Sequence, residues 1–139
     1  MTTFKLGTLV LTLVAALSLA STALAKGGGG TGGGGASCVQ INDFSLTPGV
    51  TDGAPTLTTS YTVSNSCVDH ENMSVAGLDY SNSTTGFVGR AVNMLPYGPF
   101  TWTSNPAPVV SGVTYTITLT VYTPGGKVGA TRTLTVTIP

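Results

Sequence analysis

Two cysteines, one histidine and five carboxylates are the residues of this 139-residue chain with obvious chemistry to offer. The histidine lies in Asp69-His70-Glu71, the densest ionisable cluster. A metal ion or an acid–base pair would need these side chains to converge, and consecutive residues of an extended chain point to opposite sides. No His-x-His or His-Glu-x-x-His spacing adds further ligands. The cluster therefore reads as a solvated loop, and no metal is expected. Hydrolytic chemistry would want a nucleophile beside a positioned base, or two carboxylates at a fixed separation. No Gly-x-Ser-x-Gly motif occurs. The chain is expected not to be an enzyme and to use no cofactor.

Cys38 and Cys67 carry the remaining chemistry. Asp52-Gly53 is a hairpin turn signal, and strands folded about it bring together residues whose numbers total about 105. Cys38 and Cys67 satisfy that relation, so a cross-strand disulfide is expected between them. Two cysteines allow one pairing.

Aromatic side chains suggest a different kind of site. Tyr97, Phe100 and Trp102 lie close together around the turn Pro96-Tyr97-Gly98-Pro99. Exposed rings stack on sugars, so these three form a candidate ligand-binding patch. The competing expectation is that Trp102 belongs to the core.

The elements that must position these residues are strands. Val113–Val121 and Ala130–Ile138 alternate apolar and polar residues with period two, around the turn cluster 123–127. Upstream, Cys38–Leu46 reads as a strand whose apolar parity switches from Val39 and Ile41 to Phe44 and Leu46, which places a bulge at Asn42-Asp43. A turn region at 47–54 follows, then strands Leu57–Val63, Met73–Tyr80 and Phe87–Leu95, the last broken at Gly89. A short strand covers 100–103, and a proline-rich crossing spans 105–112. Short strands separated by Gly/Pro turns indicate an all-β sandwich. Residues 38–139 form its single domain.

Two segments precede it. Residues 1–25 read as a secretory signal peptide, with Lys5 at the start, an apolar run from Leu6, and Ala23-Leu24-Ala25 at the end. If retained, this segment is the chain's contact with a membrane. Residues 26–37 are almost all glycine and read as a flexible tether. Export places the cysteines in an oxidising compartment.

Charge narrows the partners. Only 7% of residues are charged and the formal net charge is zero, against about 25% charged in ordinary soluble domains. No basic stripe exists to hold phosphates, so nucleic acid is not an expected partner. A surface with so little repulsion suits packing against itself, a matrix or a wall. Asn72-Met73-Ser74 and Asn82-Ser83-Thr84 match N-glycosylation acceptors.

Ser111-Gly112-Val113-Thr114-Tyr115-Thr116-Ile117-Thr118-Leu119-Thr120-Val121, a glycine turn, then Thr133-Leu134-Thr135-Val136-Thr137-Ile138 resembles the closing strand pair of bacterial immunoglobulin-like domains, of the polycystic-kidney-disease or fibronectin-III type. The match covers residues 111–138. It implies an immunoglobulin-like sandwich of about seven strands, with Tyr115 at the position of a tyrosine corner. The bridge between the first two strands departs from the inter-sheet disulfide of antibody domains. The resemblance implies binding or spacing at surfaces and no chemistry. The expected function is an exported, non-catalytic module of the cell exterior, secreted, periplasmic or at the cell surface. Its expected partner is a surface protein, a polysaccharide or a second copy. The alternative is a carbohydrate-binding module using Tyr97, Phe100 and Trp102.

Overall fold

A computed structural model describes residues 37–68 and 72–139. The signal segment, all but the last residue of the tether, and the Asp69-His70-Glu71 cluster lie outside the described residues. The described chain is a sandwich of two antiparallel sheets. Its strands are β1 (Val39–Thr51), β2 (Ala54–Asn65), β3 (Ser74–Asn82), β4 (Gly86–Leu95), β5 (Gly98–Thr103), β6 (Ala107–Pro108), β7 (Thr114–Tyr122) and β8 (Val128–Thr137). One sheet runs β1-β2-β5, with β6 also on β2; the other runs β4-β3-β7-β8. Strands β5 and β6 occupy successive stretches of the same edge of β2. They amount to one strand interrupted at 104–106, so eight segments fill seven strand positions.

The first hairpin is longer than its composition suggests. Pro48-Gly49 does not turn the chain: β1 continues through it to Thr51, with Pro48 opposite Leu57. Strand β1 is a sheet edge, where a missing N–H costs nothing if it faces outward. The reversal is confined to Asp52 and Gly53, with φ of 51° and 79°. Two positive φ values in a two-residue loop are what a type I′ turn needs, and its twist matches the strands it joins. The register shifts between Ile41 and Asp43, so Val39 and Ile41 and then Phe44 and Leu46 all reach the buried face. The glycine break expected in β4 is absent. Gly89 pairs with Tyr80, and the irregularity sits one residue earlier, where Ser81 pairs with Phe87 and Val88 is left over.

The core lies between the sheets. Tyr61, Val63, Ala76, Leu78, Ile117, Leu119 and Val121 are wholly inaccessible to solvent, and all come from central strands. Alternation puts threonine on the other side of β7 at every second position, which is why so polar a sequence builds an apolar centre. The Tyr115 hydroxyl accepts a hydrogen bond from the Val110 N–H at 3.0 Å, tying the start of β7 to the connection before it.

One buried polar residue joins the two sheets. The Asn65 side chain donates to the carbonyls of Leu95 (3.3 Å) and Pro96 (3.1 Å), and its Oδ1 accepts from the Cys67 N–H (3.1 Å) and the Ser74 hydroxyl (3.2 Å). Asn65→Ala removes all four bonds and strands buried partners. It is expected to lower stability by about 3 kcal/mol, measured as a shift of the urea midpoint at constant slope.

Candidate functional site

The disulfide forms at the foot of the first hairpin. Cys38 and Cys67 are bonded with a Cα–Cα distance of 4.9 Å. The Ser66 N–H and hydroxyl both donate to the Cys38 carbonyl, at 2.7 and 3.0 Å. Cys38 and Ser66 therefore continue the β1–β2 ladder beyond its last strand residues, and the disulfide closes from the next residue, Cys67. A disulfide is compatible with an extracellular location.

The aromatic trio is divided by strand parity. Trp102 pairs with Tyr61 and Phe100 with Val63, so both follow the inward side of β5. Their rings pack on Tyr61, with centroids 5.5 Å away for Trp102 and 6.3 Å for Phe100. Each remains partly buried. Tyr97, in the connection before β5, is 72% exposed. The three do not share one exposed platform. Trp102→Ala is expected to cost about 2–3 kcal/mol, below the usual loss for a fully buried aromatic because part of the ring is already wet. Thermal unfolding of the variant checks this.

The outer sheet faces carry hydroxyls in pairs. Across β7 and β8, Thr114 bonds Thr137 (2.8 Å), Thr116 bonds Thr135 (3.1 Å) and Thr118 bonds Thr133 (2.9 Å), and Thr120 stands opposite Thr131. On the other sheet, Ser60 bonds Thr103 (2.9 Å) and Thr62 bonds Thr101 (3.0 Å). Each pair consumes one donor and one acceptor, leaving the remaining hydroxyl capacity pointed at solvent. The alternation of β7 and β8 thus sets threonine opposite threonine, in register.

Beside the β7–β8 ladder the same face becomes apolar. Val75 pairs with both Met94 and Tyr122, and Gly77 with both Val92 and Thr120. The Tyr122 ring lies over Gly77, in van der Waals contact with the place a Cβ would take. Val92 is 59% exposed and Met94 66%. One ion pair borders this patch: Arg90 grips Asp79 with Nε and a second guanidinium nitrogen. The hydrogen bond from Arg90 holds the Asp79 carboxyl below its ordinary value. Both groups are solvated, so the pair contributes little to stability.

The two long sides of the sandwich differ. On one, β8 packs against β1, so closely that a Cβ on Gly129 would fall on the Val39 and Ser37 side chains. On the other, β4 and the interrupted β5–β6 strand leave an open cleft of about 300 Å³, lined chiefly by Leu57, Ala91, Ala107, Pro108, Val109 and Tyr115. Tyr80 lines it too, and burial raises its pKa. The sequence signal for this side was in β4, where apolar residues occupy both parities.

The fold and surface define an all-β sandwich with a cross-strand disulfide and hydroxyl-lined outer faces. No protein-family model, curated protein or solved structure matches the chain. Among the described residues, no group of three His, Cys, Asp or Glu side chains converges on a point that could hold a metal ion.

Proposed function

We propose that this protein is an exported, non-catalytic binding and structural module of the cell exterior, an adhesion, assembly or matrix component. The observation that carries the reading is the in-register threonine ladder of β7 and β8. It is a face of four hydroxyl pairs, without a charge among them. Such a face meets neutral, hydroxyl-rich surfaces without desolvating ions. The disulfide suits an oxidising exterior. An immunoglobulin-like class is supported by the grouping of strands 1, 2 and 5 against 4, 3, 7 and 8, and by the Tyr115 hydroxyl bond to the backbone five residues upstream. The partner is a polysaccharide or a surface protein.

The test is retention of the exported chain on the surface of its producing cells. A Thr118→Lys/Thr133→Lys variant places two charges at the centre of the ladder. Loss of about tenfold or more in retained protein is the expected result; full retention would remove the ladder as the contact face. A narrower reading, carbohydrate binding centred on Tyr97, draws support from the exposure of Tyr97. It predicts that Tyr97→Ala alone abolishes glycan binding while leaving the melting temperature unchanged.

A further inference from the structure

We infer that β4 is a self-pairing edge, through which two copies of this chain join antiparallel, β4 to β4, into one continuous sheet. The inference rests on the assembly reading above and gives it a surface.

The four sheet edges are not equivalent. An unpaired edge invites another strand unless proline, a bulge, an inward charge or a covering element blocks it. Strand β1 carries Pro48 and its register shift near Asn42. The β5–β6 edge carries Pro99 and Pro108. Strand β8 points Arg132 along the inward parity, opposite buried Leu119, and lies against β1. Strand β4 has no proline. Its irregularity at Val88 leaves 89–95 regular, and its far side borders the open cleft rather than another strand.

Charge and pattern select a second copy as the occupant. The only charge on β4 is Arg90, already neutralised by Asp79 of its own chain. Two such edges meet without net repulsion. Antiparallel pairing about a twofold at Ala91 sets Arg90 opposite Val92 of the second copy and Gly89 opposite Asn93. Pairing about Val92 sets Arg90 opposite Met94. Either keeps the two arginines from facing each other and brings the exposed Val92 side chains of the two copies opposite or diagonal to each other. The apolar patch over Gly77, with Tyr122 and Val75, then runs on across the junction.

The experiment is sedimentation velocity of the exported chain over about 10 μM to 1 mM, with hydrogen exchange at both ends of the range. The expected result is a monomer–dimer equilibrium, with slowed exchange in 89–95 at high concentration. Val92→Lys, at an exposed position that leaves the melting temperature unchanged, should raise Kd by about tenfold or more. Val92→Thr should retain pairing, and Thr133→Lys should not affect it. A monomer throughout, a dimer indifferent to Val92→Lys, or growth beyond two copies would overturn the inference. Cell-surface retention of Val92→Lys separates the readings. Retained monomer leaves the adhesion reading standing without the edge, whereas an edge-paired dimer that no longer binds cells removes the adhesion reading alone.

Discussion

Tyr61→Ala is expected to lower the unfolding free energy by about 4 kcal/mol, within the range measured for large aromatic truncations. Tyr61 is completely buried in the middle of β2. Its ring is the surface on which Phe100 and Trp102 pack, so its removal strips support from two further aromatics. Its hydroxyl accepts a 2.8 Å hydrogen bond from the Asn93 side chain on β4, which ties the two sheets together at the open side. Truncation leaves that amide without its partner as well as opening a cavity. Urea unfolding monitored by Trp102 fluorescence reads the loss. The spectrum should also report a wetter indole in the native state. A loss under about 1 kcal/mol would show that the rings do not form a packed unit.

The same residue gives the fold an alkaline limit. Desolvation raises the pKa of Tyr61 above its ordinary value of 10.0, and that of Tyr80 likewise. Below pH 10 both phenols are neutral folded and unfolded, and their contribution is constant. As pH rises past 10 the unfolded chain ionises first, and stability falls until the folded phenols titrate as well. Melting temperature should therefore hold level up to about pH 9.5 and drop above 10. The opposite trend would mean that the folded chain prefers charged phenolates.

Removing the Cys38–Cys67 bond is the second large change. The sequence separation is 29 residues, and the chain-entropy relation for such a loop gives about 3.5 kcal/mol. A Cys38→Ala/Cys67→Ala chain should fold to the same sandwich, because the hairpin has its own turn and an apolar face buried along its length. Its urea midpoint should fall accordingly. The intact protein should weigh two hydrogens less than its reduced form. A double variant as stable as the parent would mean that the unfolded chain already holds these strands together.

How much of this was legible beforehand follows from the kind of signal each feature leaves. The Cys38–Cys67 pairing and the bulge at Asn42-Asp43 were readable because β-structure has period two. A parity switch in Val39, Ile41, Phe44 and Leu46 has no other simple cause, and an Asp-Gly turn fixes the register. Strand ends were not readable. Pro48-Gly49 has the composition of a turn, and only the place of β1 at a sheet edge shows why it remained extended. Tyr97, Phe100 and Trp102 are close in sequence, yet β5 turns two inward and leaves one outside. That division depends on which residue of β5 faces Tyr61, a long-range pairing with no local mark. The cleft lies between the edges of two sheets, and no single strand could announce it.

A pull along the backbone between Ser37 and Pro139 would not enter this domain through hydrogen bonds. Tension reaching Cys38 passes at once through the sulfur bridge to Cys67, so β1 and β2 lie off the load path as a closed covalent loop. Neither strand can be peeled from the other from that end. The turn at Asp52-Gly53 hangs unloaded at the far tip, and force is borne by the second sheet, where β3, β7 and β8 lie in one antiparallel array. When the array yields, the 28 residues from Val39 to Ser66 pay out no slack. At about 3.5 Å per residue this withholds roughly 100 Å of extension, so the span from Ser37 to Pro139 stretches as though it were about a quarter shorter.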